Sequence, residues 1–483
     1  MNPFAILLFL TCSAAILSVK REWVLVPLLV GCTYMTLGQG IELGPISLPV
    51  YRMLLLVGLV RVIVKGEKIA GSMNTIDRLM IGWSVWVVFA SLFHDPERAG
   101  PVFASGVVFN QTMIYFLIRT WIHDLDELAH VIKILALLLV PVAGEMMFEK
   151  LTGKNLFGIF GGVPDYTVIR EGKLRAQGPF RHPILAGTVG ATCIPLFIAI
   201  MRRYRTHALI GIAAGVFIVL ASASSGPVMS LMAGAGAIFL WRFRHLTKVF
   251  LASSAAIYLM LMAVMEKPPY YLIARIDISG GSTGWHRAFL IDQTTKHLSE
   301  WWLWGTDFTR HWMPSQGMGA DPRHTDITNY YIGFGVSGGL LSLGLVIAML
   351  VLAFKWVGRV RLAYEEIQSP NAFMIWCYGA SLFSHVVTGF SVAYFDQSMV
   401  YFWHTVAVVG SVYSVVILDG SIADSRQPVP VDGDLYDAEP AMQTLSNEEW
   451  RSRFRNRPPG RSLEEVLADT SAASDFSPPN RHI

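Results

Sequence analysis

The run ITNYYIGFGVSGGLLSLGLVIAMLVLAF, residues 327–354, holds no aspartate, glutamate, lysine or arginine. A helix rises about 1.5 Å per residue and the hydrocarbon core of a bilayer is about 30 Å thick, so about 20 apolar residues cross it. The run is long enough, and it predicts a transmembrane helix. It also carries Gly333, Gly335 and Gly338 in the G-x-G-x-x-G spacing of dinucleotide-binding loops. That motif needs a preceding strand to build its phosphate cradle. Here the glycines lie inside an apolar run, where small residues let membrane helices approach closely. They predict packing, not a nucleotide.

The rest of the chain follows the same pattern. Of 483 residues 53% are apolar and only 15% charged, with a mean hydropathy of +0.46. A soluble chain would carry about 25% charged residues. Thirteen apolar runs read as spans: 3–19, 22–38, 47–65, 77–94, 101–121, 127–147, 181–201, 206–222, 226–243, 246–265, 327–354, 371–391 and 397–418. The first two are short, and counting them as a partial hairpin gives twelve. The fold class is an all-α polytopic membrane protein. The first run has no basic stretch before it and is followed by Lys20 and Arg21, the order of a span rather than a cleaved leader. Cys12, Cys32, Cys193 and Cys377 all fall in apolar runs without metal-ligand spacing, which predicts buried thiols and no disulfide framework.

Lysine and arginine concentrate in alternate short loops. One set carries Lys20 and Arg21, Arg61 and Lys65, Arg119, Arg202 to Arg205, Arg242 to Lys248, and Lys355 to Arg361. The other set, including 37–46, 222–226 and 392–396, has none. By the positive-inside rule the basic set is cytoplasmic, the N-terminus is periplasmic and the C-terminus cytoplasmic. The chain then divides into N-terminal spans (1–147), a first periplasmic loop (148–180), central spans (181–265), a larger periplasmic loop (266–326) and C-terminal spans (327–418). The polar, proline-containing segment 419–483 reads as a disordered cytoplasmic tail.

The periplasmic loops hold the candidate chemistry. RAQGPFRHPILAG, Arg175 to Gly187, sets Arg175 and Arg181 around the helix breakers Gly178 and Pro179, with Pro183 suited to a first helical turn. Arg175, Arg181, Arg275 and Arg287 are candidate phosphate ligands, because guanidinium forks match phosphate oxygens. The alternative for each is an anchor at the lipid headgroups. Trp285, Trp301, Trp302 and Trp304 are candidates either for the membrane interface or for stacking on sugar faces. His324, just before the quoted span and close to Asp326, Asn329 and Tyr330, is the candidate general base. Within the spans, Arg52, Glu145, His385 and His404 stand out, since ionisable groups there face protein or water. The outer loops hold no Asp-x-Asp pair, and no HExxH or GxxxxGK[ST] is present, so the sequence calls for no metal and no cofactor.

Three stretches together resemble the bacterial O-antigen ligase and O-antigen polymerase superfamily. RAQGPFRHP resembles its R-x-x-G-x-F-x-[HN]-P segment. GWHRAFLIDQTTKHLSEWWLWGTDF resembles its W-x-x-A followed by a helix, an apolar patch and a glycine. His324 before TNYYIGFGVSGG resembles its histidine ahead of an aromatic- and glycine-rich helix. The resemblance covers roughly residues 130–350. Where members often carry an arginine shortly before the loop tryptophan this chain has Gly281, leaving Arg275 or Arg287 to take that place. It implies a metal-independent membrane glycosyltransferase of GT-C type at the periplasmic face of the inner membrane. Such an enzyme moves a glycan from a polyprenyl pyrophosphate carrier to a sugar hydroxyl, with an acceptor glycan or lipid as second substrate. Other envelope polysaccharide assembly proteins are the expected partners, and nucleic acid is not. Polymerase and ligase are both open. The competing classes are a transporter or flippase of envelope glycolipids, which the absence of a visible inverted repeat disfavours, and a non-catalytic subunit of an envelope complex.

Overall fold

The computed structural model describes residues 1–94, 100–275, 284–313 and 324–421. Met1–Asp419 form one compact unit; the second unit, Gly420–Ile483, lies almost wholly outside the described residues, as does the predicted disordered tail. Helices α1 (Pro3–Ser18) and α2 (Leu25–Tyr34) lead into an antiparallel hairpin, β1 (Gly40–Leu43) and β2 (Ile46–Pro49). Next come α3 (Val50–Lys65), α4 (Thr75–Ala90), α5 (Gly100–Trp121) and α6 (Leu125–Thr152). A second hairpin, β3 (Val168–Arg170) and β4 (Lys173–Arg175), precedes α7 (Pro183–Ala199), α8 (Arg205–Ala221), α9 (Ser225–Phe239) and α10 (Thr247–Val264). The short α11 (Gly284–Lys296) and α12 (Leu298–Trp301) are followed by α13 (Tyr330–Glu366), α14 (Asn371–Gly389) and α15 (Met399–Tyr413).

Each of the thirteen predicted spans coincides with a helix. Seven helical stretches are long and apolar enough to cross a membrane, with α9 and α10 forming one stretch of 40 residues; α1, α7 and α8 are shorter apolar helices. This is a mostly helical, multi-pass membrane architecture. The 10-residue α2 reaches only about 15 Å, half the hydrocarbon thickness, which accounts for the ambiguous pattern of the first two runs.

Helix α7 sits at the centre, against α8, α9 and α14. Almost its whole circumference is buried, and its small residues make that possible. A Cβ on Gly190 would stand 2.7 Å from the Gly215 carbonyl oxygen of α8, so the two backbones touch there. By contrast α10 buries none of its residues. In lipid an apolar helix needs no such cover. All four cysteines are buried thiols.

The glycines of the opening run act differently from expectation. Backbone torsions at Gly338 and Gly339 break α13, with φ of +72° at Gly339. The freed backbone groups are met by other segments: Leu340 N donates to the Trp302 carbonyl at 2.8 Å, and Trp86 Nε1 donates to the Gly338 carbonyl at 2.7 Å. Thr306 N donates to the Val336 carbonyl at 2.9 Å. Gly335 lies beneath the Trp301 ring. The small residues chiefly admit the Trp301–Thr306 segment, not a neighbouring helix, and a broken helix is tolerated in an apolar run because protein satisfies its backbone.

One end of the bundle is tied by ion pairs. Arg119 and Asp77, both fully buried, meet at 2.8 Å. Arg61 reaches Glu67 at 2.7 Å, Arg21 reaches Glu127 at 3.0 Å and Arg203 reaches Asp126 at 2.8 Å, while Arg244 pairs with Glu365. These are the arginines of the basic short loops. The opposite end gathers the other loops.

Candidate functional site

At that opposite end lies a cavity of about 270 Å³. Residues from several stretches line it: Arg170, Arg175 and His182; Ala223 to Ser225; His286 and Arg287; Asp326 to Thr328; and Ser391 to Phe395. These are the loops that the lysine and arginine distribution grouped on one side, so their shared side is a property of the fold.

The β3–β4 hairpin explains the arginines. Glu171 and Gly172 turn it with positive φ of 49° and 73°, the type I′ geometry that suits a two-residue turn. The register pairs Val168 with Arg175 and Arg170 with Lys173. Side chains alternate along a strand, so Arg170 and Arg175 emerge on one face. The following residues are pinned by Glu149 of α6, whose Oε1 accepts from Gln177 N at 3.0 Å and from Gly178 N at 2.6 Å. Gly178 takes φ of +56°, and a Cβ there would lie 3.2 Å from Glu145 Oε2. Phe180 is buried in the core. The Asp396 carboxylate accepts from Arg181 N at 2.9 Å and from Ser398 N at 2.8 Å, joining the first loop to the last. Burial pushes the Asp396 carboxyl above its ordinary range, partly offset by these hydrogen bonds.

Arg175 is 7% exposed; its Nη2 donates to Ser224 Oγ at 2.7 Å. Ser224 follows Ala223, whose φ of +44° is unusual for a residue with a Cβ. Backbone strain of this kind gathers at ligand clamps. Arg287 of α11 is 6% exposed. The Nε atoms of Arg175 and Arg287 have no hydrogen-bond partner, and neither residue forms an ion pair among the described residues. Burial lowers the pKa of Arg175, and Arg170 adds to this. Arg287 is pushed down to about 10 by burial and by Arg170 and Arg175. Both remain cations at neutral pH without a described ion-pair partner, so the cavity concentrates positive charge, with Asp326 the one described carboxylate on its lining. His182 lines it too, capping α7 through a 3.2 Å bond from Ile184 N to its Nδ1. Burial, then Arg175 and Arg170, hold His182 near pKa 4, so it is neutral at pH 7. His286 Nε2 and Thr328 Oγ1, also on the lining, have no partner. The arrangement is suited to an anion with several oxygens.

The predicted site residues separate into groups. Arg175 and Arg287 meet at the cavity. Arg181 has an exposed side chain and Arg275 is exposed at the end of a short turn; neither lines it. His324 lies outside the lining, two residues before Asp326, which is on it. Trp285 and Trp302 are exposed, whereas Trp301 is 4% exposed and packs with Leu290, Trp312 and Ile332 in the core of the second loop. A sugar face cannot reach it. Trp304 stacks on Phe93 with centroids 4.1 Å apart. Of the intramembrane residues, His385 Nδ1 bonds Tyr394 Oη at 2.6 Å, His404 pairs with Tyr378 Oη at 3.4 Å and Arg52 donates to Asn110 at 2.8 Å. They pair with protein and do not line the cavity. Sequence reasoning passed over Glu149, Ser224 and Asp396. The one signal for Asp396 is an acid in a loop with no lysine or arginine. Gly281 lies outside the described residues. No protein-family model matches this chain, and no curated protein matches it.

Proposed function

We propose that this protein transfers a glycan from a polyprenyl pyrophosphate carrier to an acceptor sugar hydroxyl at the periplasmic face of the inner membrane, as an O-antigen or exopolysaccharide polymerase or ligase with a GT-C-like fold. The observation that carries this reading is the convergence of buried Arg175 and Arg287, without described carboxylate partners, in a cavity at one end of a membrane bundle. A carrier pyrophosphate is an anion delivered at that depth, and its tail needs lipid or apolar helices beside the site. The lining favours Arg287 over Arg275 for the arginine that the family resemblance requires.

In the proposed step the acceptor oxygen attacks the anomeric carbon of the donor glycan. The bond from that carbon to the pyrophosphate oxygen breaks. The leaving charge stays on the polyprenyl pyrophosphate, where the two guanidinium groups stabilise it. The hydroxyl proton passes to a base at the Asp326 rim of the cavity, for which His324 is the candidate. The chemistry calls on no metal.

The test is substitution in the native host, with analysis of lipid-linked intermediates. Arg287→Ala is expected to lower transfer by about 10²–10³-fold, the usual effect of removing one charge-stabilising donor, while Arg275→Ala leaves it within a few fold. His324→Ala is expected to accumulate carrier-linked glycan: single repeat units for a polymerase, long chains for a ligase. A normal glycan profile in Arg287→Ala, with protein abundance unchanged, sinks the reading.

A further inference from the structure

We propose that His297, Glu300 and His311 form a zinc site that staples the second loop, separate from the arginine cavity. His297 occupies the step between α11 and α12, Glu300 lies on α12, and His311 lies in the turn Arg310–Trp312. His297 Nδ1 is 2.6 Å from Glu300 Oε1, and His311 Nε2 is 2.9 Å from Glu300 Oε2. One ligand atom from each of the three falls within 4.8 Å of the others. Zinc bonded at about 2.0–2.1 Å in a tetrahedron holds its ligand atoms about 3.3 Å apart. Small side-chain rotations therefore bring the set to that geometry.

The surroundings distinguish the trio from a loose surface ion pair. The His297 ring lies parallel to Trp312, 14° between planes and 5.9 Å between centroids. The His311 ring stacks on Phe308 at 5.0 Å and 18°. Trp312, fully buried, donates from Nε1 to Glu300 Oε2 at 3.1 Å. Each of the three ligands is thus oriented by an aromatic neighbour, the outer support that metal ligands need. The three side chains keep 26%, 36% and 34% of their surface exposed, so an ion can enter and a water can fill the fourth position. Two imidazoles and one carboxylate are a zinc set; magnesium and calcium favour oxygen donors. None of the three lines the arginine cavity, so the metal would act as a cross-link and not in the transfer step. It would join α12 to the turn carrying Trp312, closing the loop core around Trp301.

Full-length protein, purified in detergent with a non-histidine tag and stripped with a chelator, is titrated with Zn²⁺ against a chromophoric competitor. Wild type is expected to bind one equivalent and to gain melting temperature on doing so. His297→Gln/His311→Gln is expected to lose that equivalent and the thermal gain. Glu300→Gln, which keeps the shape of the side chain, is expected to bind at least tenfold more weakly. Equal zinc binding by wild type and the double variant, or none by wild type, overturns the proposal. So does zinc binding in Glu300→Gln that matches wild type.

Discussion

The two ends of this bundle use arginine in opposite ways. At one end Arg119 lies fully buried against Asp77, and Arg61, Arg21, Arg203 and Arg244 each meet a carboxylate. At the other, Arg175 and Arg287 are nearly as buried, yet among the described residues neither has an ion-pair partner, and both have an Nε without a hydrogen bond. Burying a charge is costly, and a protein neutralises that cost with a partner charge or leaves it for a ligand. The first end therefore builds structure, and the second leaves buried charge of the kind the proposed anion would meet. Position along the chain does not separate the two kinds of arginine; the company each keeps does.

The largest effect that tests this contrast is in stability. Arg119→Met leaves Asp77 buried and unpaired and is expected to cost about 3–5 kcal/mol, read as a lowered unfolding midpoint in mixed micelles. Arg287→Met removes a buried charge with no described carboxylate partner and is expected to leave the midpoint unchanged or raised. Added pyrophosphate should raise the midpoint of wild type but not of Arg287→Met. If Arg287→Met melts as early as Arg119→Met, the contrast fails.

A smaller effect concerns pH. His182 is held near pKa 4, whereas an unfolded imidazole titrates near 6.5. Between those values the native state binds fewer protons than the unfolded chain, so stability is fully present above pH 6.5 and declines as pH falls toward 4. His182→Asn, which retains a capping acceptor, is expected to flatten the midpoint's dependence on pH over that window. An unaltered slope would mean that burial and the neighbouring arginines do not depress His182. Smallest of all is Arg203→Ala: the Arg203–Asp126 side chains are 46% and 59% exposed, and the change is expected to stay within about 0.5 kcal/mol. A larger loss would show that the paired end draws on its exposed bridges as well as its buried ones.

The spans were legible because an apolar run of membrane length has few other meanings. The grouping of loops was legible through lysine and arginine alone. What the sequence could not show was convergence. Arg170 and Arg175 share a face only because Glu171–Gly172 closes a type I′ turn, and Arg287 joins them through the packing of helices distant in the chain. Arg181, six residues after Arg175, is turned away by the Asp396 clamp on its backbone. The tryptophans of the second loop look alike in sequence, yet Trp301 is core and Trp302 surface, because each helical step turns the side chain by about 100° and Trp302 sits at the helix end. The GFGVSGG run predicted close packing correctly but not its partner, since a small residue admits a backbone strand as readily as a helix.

The break at Gly338–Gly339 has a consequence for how the chain is put into a bilayer. Its exposed backbone groups are met by Trp302 and Trp86, both earlier in the chain. Synthesis therefore delivers the partners before the helix that needs them. An insertion that delayed Trp302 relative to Gly339, or a split protein that supplied the two on separate polypeptides, would leave unpaired amides in hydrocarbon while the missing half arrived.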